Sequence, residues 1–201
     1  MHLTPVGRRA LLVETDDATQ ALALAARVRE LVRAGELNLQ EVVPAAGSVL
    51  LDGVDDPGQV RERLAGWTPG TETPPGELVE IGVEYDGADL ADVAERWGQS
   101  VEEVIESHTR MEFVAAFCGF APGFAYLSGL PARLHVPRLD SPRPRVPAGA
   151  VAVAGEWCAV YPTASPGGWR ILGRTTTVLW DQERARPALL VPGTRVRFVA
   201  R

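Results

Sequence analysis

Between Phe117 and Thr175 the chain places eight of its 16 prolines and eight of its 20 glycines, a density that few architectures tolerate. The stretch reads FCGFAPGFAYLSGLP, then PRLDSPRPRVPAGAVAVAG, then VYPTASPGGWRILGRT. Each proline fixes φ and removes an N–H donor, so no long helix runs through it. The glycines permit turns and close backbone approaches that a Cβ blocks. What remains is a set of short strands (FVAAFC, VAVAG, CAVYP, RILGRTTTVLW, ALLVPG, TRVRFVA) separated by rigid turns, the pattern of a compact β-barrel or curled sheet. Arg143, Arg145, Arg170 and Arg174 ride on those rigid loops and form a preorganised surface for an anion.

The first part of the chain reads differently. Arg9 to Thr15 is a short apolar run that predicts a buried strand. Thr15 or Asp16 then caps a helix in which Leu22, Ala25, Ala26, Arg29 and Val32 follow helical spacing, and Gly35 stops it near Ala34. Leu39 to Pro44 and Ser48 to Leu51 predict a hairpin around Ala45-Ala46-Gly47, and Asp56-Pro57 opens a short helix through Leu64. Thr68 to Glu77 has linker composition, and Glu77 to Tyr85 predicts a further strand. The order β-α-β-β-α-β suggests a small ferredoxin-like sandwich. Two short helices follow, Asp89 to Trp97 and Ser100 to Ser107, the second opened by the capping box Ser100-Val-Glu-Glu103. The fold class is α+β, divided into residues 1–86 and 87–201.

Charge sharpens the division. Up to Thr109 there are 8 Arg against 21 acids; from Arg110 onward there are 12 Arg against 5 acids. The second stretch is the one expected to attract a carboxylate or phosphate, and its Arg residues alternate with Pro rather than stacking aromatics, which argues against nucleic acid. The chain contains no lysine, so a Walker A lysine, a Schiff base and a lysine general base are all excluded. Cys118 and Cys158 lie 40 residues apart with no C-x-x-C and read as small buried hydrophobes. His2, His108 and His135 show no metal-ligand spacing, so no metal is expected. No apolar run reaches the roughly 20 residues of a membrane span, the N-terminus does not read as a signal peptide, and the expected location is the cytoplasm.

The three motifs, in this order and spacing, resemble the family that contains the B component of 5-oxoprolinase, allophanate hydrolase subunit 1, the matching carboxyltransferase region of urea carboxylase, and a sporulation kinase inhibitor. Pro5 to Val13 resembles the family's start, and Val101 to His108 its helix before the barrel. The resemblance implies an N-terminal α+β domain and a C-terminal cyclophilin-like β-barrel. It also implies an ATP-dependent 5-oxoprolinase subunit, inactive alone, that works with subunits A and C to open the lactam of 5-oxoproline to glutamate. ATP would be bound by this chain or by a partner. Two other activities stay open within the family: regulation of a sensor histidine kinase, and hydrolysis of a urea-derived amide such as allophanate.

The motifs nominate residues. His108 at a helix end is the candidate general base and Arg174 the candidate catalytic cation, with Thr175 beside it. Phe120, Pro122, Gly123 and Tyr126 are expected to shape a pocket wall. Arg143 and Arg145 are expected to bind a carboxylate or phosphate, Tyr161 to donate a hydrogen bond, and Gly168 to offer a backbone N–H to an oxyanion. The chain departs from the family at Glu156-Trp157-Cys158-Ala159, where small polar residues are common, and at Ala150, where Ser is common. Trp and Cys there are expected to change the pocket's volume and remove donors.

Overall fold

The computed structural model describes residues 2–68 and 76–201. Most of the expected 68–77 linker lies outside the described residues. The chain divides into two compact units, Met1–Pro74 and Pro75–Arg201.

In the first unit, strands β1 (Leu3–Val6) and β2 (Ala10–Glu14) precede helix α1 (Ala18–Arg33), followed by β3 (Glu41–Pro44), β4 (Ser48–Asp52) and helix α2 (Pro57–Leu64). The four strands form one antiparallel sheet in the order β1-β2-β4-β3. The caps are local chemistry. Asp17 accepts from the Gln20 N–H at the start of α1, and Asp56 accepts from the Gly58 and Gln59 N–H groups with Pro57 in the first turn of α2. The α1 cap is therefore Asp17; Asp16 instead accepts from the Gln20 side-chain amide. The buried stripe of α1 is also rotated from the expected one. Ala21, Leu24, Ala25, Val28 and Leu31 face the sheet, while the Arg29 guanidinium donates to the Val42 carbonyl. Both sheet edges are blunted: β1 carries Pro5, and β3 ends in Pro44 with Arg29 on one of its carbonyls.

The second unit begins with β5 (Leu78–Val83), helix α3 (Leu90–Trp97) and helix α4 (Val101–Arg110), whose Ser100/Glu103 capping box is formed on both sides. Then come β6 (Phe113–Cys118), β7 (Ala125–Ser128), β8 (Arg143–Val146), β9 (Ala150–Ala154), β10 (Trp157–Val160), β11 (Ser165–Gly167), β12 (Arg170–Arg174) and β13 (Arg195–Ala200). Seven strands make one sheet in the order β12-β9-β10-β7-β6-β13-β5. It nearly closes on itself, because Glu84 just beyond β5 and Arg174 at the end of β12 exchange backbone hydrogen bonds of 2.9 Å each. β8 and β11 pair separately.

Four expectations change. The strand read at 77–85 does not complete a ferredoxin-like first unit; β5 runs parallel to β13, from Leu78↔Arg195 to Val83↔Ala200. The border between the units falls at Pro74/Pro75 rather than at 86/87. The charge break at Thr109/Arg110 lies between α4 and β6, inside the second unit, so it marks no module boundary. ALLVPG forms no strand of the sheet, and its β-pairing is the isolated bridge Trp180↔Ala188.

β9 is buried along its whole length, and its alternation explains why. Val151 and Val153 enter the barrel core with Phe113, Leu127, Leu172 and Phe198, while Ala150, Ala152 and Ala154 face a second cluster with Phe124, Tyr161 and Trp169. Successive side chains point to opposite faces of a strand, so valines fill the barrel and alanines leave room for an aromatic layer on the other side. No described helix is long and apolar enough to cross a membrane.

Candidate functional site

The aromatic layer opens to solvent as a cleft of about 230 Å³, lined by Phe120, Phe124, Tyr161 and Trp169 together with Arg138 and Gly168. Phe124, Tyr161 and Trp169 are almost fully buried and meet edge to face, with Phe124 5.4 Å from Tyr161 and 5.7 Å from Trp169 between ring centroids. Tyr126 lies 5.7 Å from Trp169 and stacks on Phe117 at 4.3 Å. At the mouth stands Phe120, 62% exposed, with a backbone φ of +70°. A left-handed conformation costs a residue with a Cβ on the order of 1 kcal/mol. Here it is imposed by a tight turn in which Phe124 donates to the Ala121 carbonyl and Gly119 to the Phe124 carbonyl. The turn sets the Phe120 ring edge-on over Phe124 and Tyr161.

The polar groups of the cleft are few. Burial holds the Tyr161 hydroxyl's pKa above the usual phenol range, against the opposing pull of the nearby Arg138 charge and Trp169 backbone. Tyr161 packs so tightly on Gly167 that a Cβ there would overlap the hydroxyl, which is why that position is glycine. Arg138 is exposed and has no ion-pair partner among the described residues.

The walls around Arg138 are fixed by two aspartates at the start of α3. The Asp89 side chain makes no cap bond to its own helix; one carboxylate oxygen accepts from Arg143 at 2.6 Å and the other from the Ile171 N–H at 2.7 Å. Arg143 also reaches the Trp169 carbonyl at 3.4 Å. One turn later, Asp92 accepts from Arg170, which is only 5% exposed and donates as well to the Pro137 carbonyl. The Arg96 and Arg170 guanidinium groups hold the Asp92 carboxyl below the usual carboxylate range. Leu139 donates to the Gly168 carbonyl at 2.7 Å. The backbone on either side of Arg138 is thus anchored, at Pro137 by Arg170 and at Leu139 by Gly168, while its own guanidinium stays unpaired.

The family model for the carboxyltransferase domain, subdomain C and D, matches residues 1–190. The chain belongs to this family. It is 43% identical over 170 residues to the 5-oxoprolinase B component of Escherichia coli O157:H7, covering 82% of this chain and 75% of that one. It is 46% identical over 125 residues to the 5-oxoprolinase B component of Bacillus subtilis (strain 168), covering 61% of this chain and 52% of that one. Among solved structures, TTHA0988 in space group P6522 superposes with a TM-score of 0.80 at 38% identity, over 96% of this chain and 40% of that one. The protein PH0987 of Pyrococcus horikoshii gives 0.59 at 33% identity, over 100% of this chain and 97% of that one. The Kluyveromyces lactis urea amidolyase shares the fold, with a TM-score of 0.72 at 17% identity, over 99% of this chain and 15% of that one. The match thus spans about half of the Bacillus relative and three quarters of the Escherichia one.

Within this carboxyltransferase-domain fold the nominated residues scatter. Phe120, Tyr126, Tyr161 and Gly168 line the cleft. Arg143 stands behind it as a clamp, its charge met by Asp89. Arg145 is exposed on β8 and does not line the cleft. Gly123 (φ +82°) packs its turn against Leu179 and Trp180. Arg174 is at the barrel seam, bonded twice to Glu84 and 3.1 Å from Asp86, so its charge is already matched. Thr175 accepts from the Thr177 N–H and donates its own N–H to the Gly149 carbonyl.

His108 is in the barrel core, fully buried, with Nδ1 2.7 Å from the Tyr85 hydroxyl, Nε2 3.4 Å from the Cys158 thiol, and its ring stacked on Phe198. Burial pushes its pKa down to about 3 and the Cys158 and Tyr85 pKa values up, so none of the three exchanges protons readily near neutral pH. Cys118, read as buried, is exposed. Trp157 backs Tyr126 from outside the cleft, so this departure leaves the lining unchanged.

Arg138 is the residue that the motif reading passed over. Its only local signal was a position inside PRLDSPRPR, where every other arginine looks equally available.

Proposed function

We propose that this chain is a subunit of an ATP-dependent 5-oxoprolinase, working with subunits A and C and inactive alone, and that its cleft holds the acid being opened. Three curated relatives named as the B component of 5-oxoprolinase, 42% to 46% identical, support the reaction. The observation that carries the site is Arg138, a permanently charged fork left unpaired between anchored walls. In the overall reaction the lactam C–N bond of 5-oxo-L-proline is hydrolysed to L-glutamate while ATP becomes ADP and phosphate, one water being consumed in each hydrolysis. Arg138 pairs with the ring acid's carboxylate, and the aromatic walls exclude water from the ring's faces. Because Asp89, Asp92, Arg143 and Arg170 have already set the walls, little reorganisation accompanies binding. The cytoplasmic location and the reading of the second unit as a cyclophilin-like barrel belong to the same proposal.

The test is ATP-dependent glutamate release from 5-oxoproline by this chain mixed with subunits A and C. Glutamate is expected only from the complete mixture, and Arg138→Gln is expected to lower turnover at limiting 5-oxoproline without preventing assembly. An assembled complex that releases no glutamate rejects the reaction.

A further inference from the structure

We infer that the cleft selects a small ring-closed carboxylate, rejects the open-chain product, and does not hold the nucleotide. The inference deepens the reading above and rests on it for the identity of the acid, though not for the chemistry of the site.

Three features carry it. The cleft measures about 230 Å³, below the roughly 300–1,000 Å³ typical of sites for drug-sized ligands. Arg138 is the single cation among its described lining residues, and no Asp or Glu lines it. The other polar groups of its lining residues are neutral, the Tyr126 and Tyr161 hydroxyls, the Trp169 indole N–H and backbone, and Phe120 overhangs the mouth with an apolar face.

A neutral-ringed monoanion matches this inventory. Its one carboxylate meets one guanidinium, and its ring lies against aromatic faces. Opening the lactam converts a neutral N–H into an ammonium and adds a second carboxylate. The aromatic faces attract an ammonium, but the same negative faces repel the added carboxylate, and no second cation is there to pair with it. Hydrolysis therefore turns a matched ligand into a mismatched one, which favours product release.

A triphosphate is mismatched more severely. Nucleotide sites bring several cationic or metal partners to the phosphates, whereas Arg138 is the single cation among the described lining residues, and Arg143 and Arg170 are committed to Asp89 and Asp92. ATP does not fit the cleft, and its site in the complex lies outside it.

The experiment measures binding to the full chain, free and in complex with subunits A and C, by equilibrium dialysis. The probes are 5-oxoproline, tetrahydrofuran-2-carboxylate (a ring acid with no lactam), L-glutamate and ATP. Both ring acids are expected to bind at least about tenfold more tightly than glutamate, and Arg138→Gln to weaken them at least about tenfold, with partial rescue by Arg138→Lys. In the complex, Arg138→Gln is expected to raise KM for 5-oxoproline and leave KM for ATP unchanged. Equal affinity for glutamate, no ring-acid binding in either form, or an Arg138-dependent KM for ATP each overturns the inference. Arg138-dependent binding of both ring acids by an assembled complex that never opens 5-oxoproline leaves the site's selectivity standing and removes only the proposed reaction.

Discussion

The second unit contains two polar constellations embedded among aromatic rings, and they are built to opposite ends. In the barrel core, Tyr85, His108 and Cys158 bond one another in a row and no polar atom of the imidazole is left over. Behind the cleft, Arg143 and Arg170 are paired with Asp89 and Asp92, while Arg138 in its lining has no ion-pair partner among the described residues. The first arrangement is complete in itself; the second is complete only around a ligand. A histidine at a helix end looks more catalytic in a sequence than one arginine among many, yet what separates them is which polar group the fold leaves without a partner.

The sharpest way to break this contrast is to remove a clamp. Asp89→Ala strands the half-buried Arg143 and the buried Ile171 N–H together, and a cost of about 3 kcal/mol is expected in urea unfolding, because breaking a mostly buried pair leaves an uncompensated charge. A smaller cost than that of an ordinary surface substitution means that the clamp does not set the walls.

Acid tests the core constellation. The folded pKa of His108 is lowered to about 3 from 6.5, so its contribution is complete above pH 6.5 and is lost as pH falls toward 3. The unfolded chain binds the extra proton in that window, giving a slope of about 1.4 kcal/mol per pH unit, or about 2.5 kcal/mol by pH 4.5. His108→Leu is expected to flatten this part of the profile in urea unfolding at a series of pH values. A profile identical to that of the unmodified chain shows that the imidazole is not held neutral.

Phe120 separates backbone strain from binding. Phe120→Gly and Phe120→Ala both delete the ring over the cleft and are expected to weaken ring-acid binding alike. The glycine variant is expected to be the more stable by about 1 kcal/mol, since only alanine retains the left-handed penalty. Equal stabilities dismiss the strain; unchanged binding dismisses the ring.

The smallest effect is expected at Arg174. It is 64% exposed in its side chain and paired with Glu84 and Asp86, so Arg174→Ala is expected to leave turnover of the complex within about twofold. A large loss of turnover with intact assembly returns Arg174 to the site.

Much of the architecture was legible locally. Asp56-Pro57, the Ser100/Glu103 box and Gly35 act within a few residues of themselves, so the sequence placed the ends of α2, α4 and α1 closely. VAVAG was likewise legible as a strand, while its two unlike faces emerged only in the packing of β9. Phe120 and Tyr126, read as pocket wall, and Tyr161 and Gly168, read as donors, all line the cleft; aromatics and glycines set among proline-fixed turns were the signal that singled them out.

What the sequence did not contain was the pairing. β5 looks like the last strand of the first unit until it is seen beside β13, with Leu78 opposite Arg195. The acidic stretch that seemed to mark a separate module supplies the counter-charges of the basic one: Glu84 and Asp86 to Arg174, Asp89 to Arg143, Asp92 to Arg170, and Glu80 to Arg197. These partners are 54 residues apart for Asp89 and Arg143 and 78 for Asp92 and Arg170. Caps, turns and alternation are set by contacts within one or two turns of chain, so sequence alone determined them. Which of the arginines around the cleft stays without a counter-charge depends on Coulombic neighbours brought together by β-sheet closure, and only the tertiary structure decided that Arg138 lines it unpaired while Arg143 and Arg170 are met by Asp89 and Asp92.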